Sequence, residues 1–421
     1  MAGLSAAVSS SPLAAPGGAA KVGVTALLVS VTVLQRLGIN FGSYSLNVAL
    51  PAMYGLLIVA ALTGVLAVSA PRLILYGVCA SIALASTIVN AERSSVSSLL
   101  LLIAMYLPFI FVLTPASGAT QDGVLQTFLN LALLFALAGV AQFYAQFIVH
   151  ADWLFDFTGY LPSLLRGPSG FNTVIPVGAL YKSNGFFFRE PSLFSFVMAL
   201  ALMAESLSYR RVGRLICFGL ALLLTYSGTG LLALLIGMLI PMNRKTMLRL
   251  SLLACLGGAA FLLLDDALNL SFTLGRLDEF GSESSSAYIR YIAPARLIAE
   301  TWSAEPWTLW LGHGPGTILR KEAGFEFHDP TWAKLVYEYG VLGFVAVVTL
   351  FLLALRRPTV PMRVRAMLFA AWLVMGGHLL SPEQNFLTVA LLGLLPEGAH
   401  AHAPPLVNVV AHVEGGFENA C

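Results

Sequence analysis

Arg189 and Glu190 stand directly before Pro191-Ser192, closing the stretch Lys182-Ser183-Asn184-Gly185-Phe186-Phe187-Phe188. Proline lacks an N–H and fits the first position of a helix, so this Arg-Glu pair sits at a helix mouth. A guanidinium there can hold a phosphate-type anion, with Glu190 orienting it. The alternative is an ion pair that anchors the helix at a membrane interface. Ionisable groups at membrane depth favour the functional reading. Further along, Ser284-Ser285-Ser286-Ala287-Tyr288-Ile289-Arg290-Tyr291 runs into a stretch ending at Trp302. It reads as a short amphipathic helix, started or kinked by Pro294. On a helix Arg290 and Arg296 point about 120° apart, so they do not easily share one ligand. Arg296 and Glu300 are spaced to satisfy each other. Arg290 has no such helical partner and is the better anion candidate.

The sequence Leu311-Gly312-His313-Gly314-Pro315-Gly316 is a tight turn whose backbone N–H groups could cradle an oxyanion. A glycine-rich turn alone is weak evidence, and His313 reads as a turn residue. In Phe327-His328-Asp329-Pro330-Thr331-Trp332, Asp329 is expected to cap a helix and Pro330 to begin it. His328 then lies just outside a helix N-terminus, whose positive end disfavours imidazolium and attracts phosphate. A neutral imidazole there can act as a general base, since histidine titrates near neutrality. The alternative is a surface histidine beside a well-capped helix. Glu338, four residues after Lys334, reads as its structural partner.

These residues need a scaffold, and composition says which kind. Of 421 residues, 58% are hydrophobic and 10% charged, and mean hydropathy is +0.83. Soluble chains carry about 25% charged residues, so this chain is expected to be an all-α polytopic membrane protein. The net charge of +2 does not suggest a nucleic-acid partner. Cys79, Cys217, Cys255 and Cys421 form no disulfide framework and have no metal-ligand spacing.

Apolar runs near 22–39, 46–68, 71–89, 96–115, 123–149, 188–207, 212–226, 228–242, 246–264, 333–355, 364–380 and 384–397 imply about twelve crossings, or eleven if the last is discounted. Arg210, Arg211 and Arg214 share one connection. Arg244, Lys245 and Arg249 share another, and Arg356, Arg357, Arg363 and Arg365 flank a third. An even number of crossings separates these loops, so all three are expected on the cytoplasmic side. The long connections at about 150–187 and 265–332 then face outward, the second with more Asp and Glu than Arg and Lys. The expected organisation is a disordered cytoplasmic tail at 1–21 and spans one to nine across 22–264. A large, partly helical outer loop follows at 265–332, then three spans across 333–397 and a cytoplasmic tail at 398–421.

The order of the glycine turn, then His328, then Glu338-Tyr339-Gly340-Val341-Leu342-Gly343 resembles the O-antigen ligase/polymerase superfamily. These are GT-C-type glycosyltransferases of the bacterial inner membrane that act on the periplasmic side. The resemblance spans the whole topology and is strongest across 284–343. Gly185 to Ser192 is similar to a G-x-F-x-x-E-P-S pattern of the Wzy-type polymerase branch. Ligases commonly carry Ser-Arg where this chain has Ser227-Gly228.

The resemblance implies a donor and an acceptor glycan, both on undecaprenyl pyrophosphate, with the lipid bilayer as host and room for a chain-length regulator. It implies polymerisation into O-antigen or exopolysaccharide, with no cofactor and no metal, since neither long loop contains Asp-x-Asp. Arg290 and Arg189 would neutralise the diphosphate, with Arg296 as a further candidate. His328 would deprotonate the acceptor hydroxyl as it attacks the anomeric carbon with inversion, with Glu190 beside Arg189. The alternative within the family is an O-antigen ligase that transfers glycan to lipid A core. A flippase or transporter is a different class and needs charges near the bilayer midplane, for which Arg36 and His378 are the main candidates. A non-catalytic scaffold leaves the outer Arg and His residues unexplained.

Overall fold

The computed structural model describes residues 16–41, 44–114, 117–149, 151–167, 172–177, 180–240, 288–356 and 360–395. Helix dominates them, and strands are confined to three two-stranded ribbons. Four helices are long and apolar enough to cross a membrane: α3 (Ala70–Val89), α5 (Gln121–Ala145), α6 (Pro191–Ser208) and α10 (Thr331–Leu355). The other helices of seven or more residues are α1 (Pro16–Val33), α2 (Ala49–Leu62), α4 (Val96–Tyr106), α7 (Val212–Leu223), α8 (Gly228–Leu239), α9 (Ala293–Ala304), α11 (Met362–Val374) and α12 (Pro382–Thr388) among the described residues. The expected span at 246–264 and both expected tails lie outside the described residues, apart from the helical backbone of 16–21.

Local chemistry explains the helix ends. Ser95 caps α4, Thr120 caps α5 and Ser227 caps α8, each side chain accepting from a backbone N–H of the first turn. Pro191 opens α6 as the sequence suggests. Two runs expected as unbroken spans are shorter. Gly64, at φ 72°, ends the α2 segment, and Pro108 ends α4 in a 3-10 turn. Both chains then extend, and β3 (Leu66–Val68) pairs antiparallel with β4 (Phe111–Leu113).

Burial separates centre from periphery. Two thirds of the apolar window of α6 is buried, against about a fifth of that of α3. The exposed face of α3 is itself apolar, with Leu73, Ile74, Leu84 and Ile88 uncovered. Such a face suits lipid, because water tolerates only small apolar patches on a monomer. A continuous core under it includes Phe194, Phe218, Phe351 and Trp372, the last stacked on Phe351 at 4.0 Å.

The bundle has two chemically distinct ends. At one, Arg211 makes a two-pronged pair with Glu205, Arg214 donates to Asn130, and Arg363 donates to the Ile240 carbonyl. The ends of α6 and α8 and the starts of α7 and α11 therefore meet at this basic end. At the other end lie the starts of α6, α8 and α10, the end of α11 and the described parts of both long connections. There Arg36 is fully buried and donates to the carbonyls of Phe155 and Phe186, with Asp156 at 3.6 Å. It clasps the first long connection to the end of α1.

Candidate functional site

Arg189 is aimed by the turn before it. Gly185 has φ 64°, and a Cβ there would meet the Phe194 ring at 2.7 Å, so only glycine fits. Phe186 is also left-handed at φ 63°, a strained conformation that its neighbours hold in place. Gln142 accepts from the Asn184 N–H and the Ser183 hydroxyl and donates to the Asn184 carboxamide oxygen. The Arg36 guanidinium donates to the Phe186 carbonyl at 2.6 Å. The Arg189 N–H then donates to Gln35, and its guanidinium reaches Glu383 at 2.9 Å.

Glu383, rather than the expected Glu190, is thus the carboxylate that orients Arg189. Glu383 is 3% exposed and also accepts from the Asn47 side chain at 2.7 Å and from the Ser381 hydroxyl. Glu190 occupies the position before α6 without capping it. Its carboxylate has no hydrogen-bond partner among the described residues.

Arg290 lies on a single π-helical turn, Tyr288–Ile292, that leads into α9. The amphipathic helix expected to be started or kinked by Pro294 begins as α9 at Ala293, with Pro294 in its first turn, and the Arg290 turn before it has a different pitch. Arg290 is half-buried and has no hydrogen-bond or ion-pair partner among the described residues. The turn that carries it is held by a bond from the His328 N–H to the Ile289 carbonyl.

Arg189, Glu190, Arg290 and His328 line one cavity of about 250 Å³, together with His378 and Glu383. His328 stands at its solvent-open rim. Partial burial lowers its pKa below the ordinary histidine value, and the Arg290 charge lowers it further; Asp329, Glu190 and Glu326 oppose the shift. Burial and the Arg290 charge thus favour the neutral imidazole that a proton acceptor requires. The cavity can bind a doubly charged oxyanion between two guanidinium groups and remove a proton beside it.

Other expected residues lie elsewhere. Arg296 is on α9, pairs with Glu300 at 2.8 Å and covers the Phe325 ring at 4.5 Å. It is not part of the cavity wall. Asp329 does not cap α10, which starts at Thr331, one residue later than expected; its carboxylate binds Lys334 at 2.7 Å instead. Glu338 accepts from the Ile318 N–H at 3.4 Å.

The glycine turn is docked onto α10. Gly340 breaks that helix at φ 67°, releasing carbonyls that an unbroken helix would use. The N–H groups of His313 and Gly314 donate to the carbonyls of Tyr337 and Glu338, both at 2.9 Å, and that of Gly312 to Thr308 at 2.7 Å. The expected oxyanion cradle is therefore occupied by backbone. Glycine is required because a Cβ on Gly312 would meet the Glu338 carbonyl oxygen at 2.5 Å.

Sequence reasoning passed over Glu383. The signal was present in Pro382-Glu383-Gln384-Asn385, a polar cluster opening an apolar run, and a carboxylate at that depth demands a partner. His378, considered as a midplane charge, belongs to the cavity wall.

A family model described as WcaD colanic acid polymerase matches residues 23–395. No curated protein matches the chain.

Proposed function

The chain belongs to the WcaD colanic acid polymerase family, and from that premise we propose that it joins undecaprenyl-pyrophosphate-linked repeat units into a surface polysaccharide. The observation that supports this reading is the convergence of Arg189, Arg290 and His328 on one cavity. The donor glycan is attached through its anomeric carbon to a diphosphate. In the reaction that C–O bond breaks, the diphosphate leaves with the electron pair, and an acceptor hydroxyl oxygen bonds to the same carbon. The hydroxyl proton passes to His328. Attack opposite the leaving group inverts the anomeric centre.

Diphosphate is a weak base and needs charge neutralisation rather than protonation. Arg189 and Arg290 supply it, since guanidinium binds phosphate oxygens through two parallel N–H groups. Glu383 holds Arg189 in place, and Glu190 adds negative charge near His328. The reaction uses no metal, is placed on the periplasmic side of a bacterial inner membrane, and uses the bilayer to present both lipid-linked substrates. Two features weigh against the ligase alternative. Gly228 stands where ligases carry arginine, and the matching family model is that of a polymerase.

The test is genetic and chemical. His328→Ala and Arg290→Ala variants that insert normally should make no polymer, while single lipid-linked units accumulate on the periplasmic side. Wild-type polymer from both variants would overturn the assignment, and accumulation on the cytoplasmic side would indicate a flippase.

A further inference from the structure

A second cavity, of about 530 Å³, lies between α9, the glycine turn and Tyr337 of α10. α9 begins directly after the turn that carries Arg290. Tyr337, in the second cavity, lies about 10 Å along α10 from Pro330, in the first. The floor is built: His313 stacks on Tyr337 at 4.6 Å and 14°, and both are almost fully buried. The glycine turn that carries His313 is fixed to the broken helix by its backbone bonds.

The wall chemistry selects the ligand class. Arg93, Arg320 and Lys321 line the cavity together with Glu300, Glu305 and Glu322. Arg93 pairs with Glu305 at 3.3 Å, Glu300 is held by Arg296, and His313 Nε2 lies 3.6 Å from Glu305. Formal charges balance, so the wall does not suit a diphosphate. It is too polar for a prenyl chain. Carboxylates, guanidinium groups and an ammonium provide hydrogen-bond donors and acceptors for the hydroxyl groups of a sugar, above a floor that the stacked His313 and Tyr337 hold rigid.

We propose that this cavity is a saccharide subsite that holds glycan residues next to the reacting ones, retaining the growing chain between additions. The proposal rests on the polymerase reading of the first cavity. Its test uses full-length protein in lipid nanodiscs and oligosaccharides made by partial acid hydrolysis of the host's own surface polysaccharide. Lys321→Ala/Glu322→Ala changes only the exposed rim, and Arg93→Ala is a second, independent probe.

Calorimetry should show wild-type binding and about tenfold weaker binding in each variant. Gels should show shorter polymer while lipid-linked units are still consumed. Unchanged affinity and unchanged length would overturn the subsite. So would binding that Arg290→Ala abolishes and the rim variants leave intact, since the oligosaccharide would then occupy the first cavity. If the wild type consumes no lipid-linked units, the polymerase reading itself fails, whatever the calorimetry shows.

Discussion

The backbone N–H of His328 donates to the carbonyl of Ile289 at 3.0 Å, one residue before Arg290. The candidate base and the candidate anion ligand are thereby held in fixed register, although a helix, a glycine turn and a loop separate them in sequence. Replacing Arg290 should therefore affect binding and proton transfer together. Arg290→Lys keeps the charge but loses the paired N–H geometry, and is expected to lower kcat/KM about a hundredfold. Arg290→Ala should lower it further. Turnover of lipid-linked units by purified variants measures both, and an Arg290→Lys enzyme of wild-type rate would remove the arginine from the mechanism.

The acid limb of the pH profile should lie below the ordinary histidine pKa of about 6.5. Burial and Arg290 both disfavour imidazolium at His328, so the neutral base persists as pH falls and is lost only below that value. Glu326 favours imidazolium, and Glu326→Gln should move the limb to still lower pH. Removing the Arg290 charge should move it upward. The measurement is kcat/KM against pH, and a limb that ignores both substitutions excludes His328 as the titrating group.

Glu383→Ala should damage the site through Arg189. The carboxylate is buried and also binds Asn47, so its loss leaves polar groups unpaired and should lower stability by about 3 kcal/mol. Arg189 is 30% exposed and can rehydrate in part, which limits the loss. Glu383→Gln retains hydrogen-bonding capacity and should fold better, yet raise KM for the lipid-linked donor. Thermal unfolding in detergent separates the stability effect from the kinetic one.

Gly340→Ala should prevent docking of the glycine turn. A Cβ at Gly340 would lie 2.2 Å from the Trp310 carbonyl oxygen, and the backbone there is left-handed. Gly159→Ala, where a Cβ meets nothing within 4 Å, is the control. The expected outcome is a sharply lower Tm or no folded protein for the first and a wild-type Tm for the second.

What the sequence revealed follows the range of the forces involved. Long apolar runs are legible because bilayer thickness sets their length, and Pro191 marks the start of α6 by local stereochemistry alone. The basic loops around Arg211, Arg214 and Arg363 signalled one common end because charge there is a local property of each loop. The break at Gly340 was not legible, since glycine permits a left-handed turn in an apolar run without requiring it. Nor was the partner of Arg189: Glu190 was adjacent and plausible, but Glu383 competes from 194 residues away. The displaced start of α10 arose because Lys334 attracts Asp329 more strongly than a capping position does.

That 194-residue separation also has a consequence in time. At ordinary rates of synthesis, about 5–20 residues per second, the ribosome needs about 10–40 s to travel from Arg189 to Glu383. Throughout that interval the nascent chain already contains Arg189 and its turn, but not the carboxylate that holds the guanidinium in place. A chain released early would insert many helices and still lack an ordered anion site. The helix that carries Glu383 thus completes the Arg189 side of the cavity only after most of the described residues have been made.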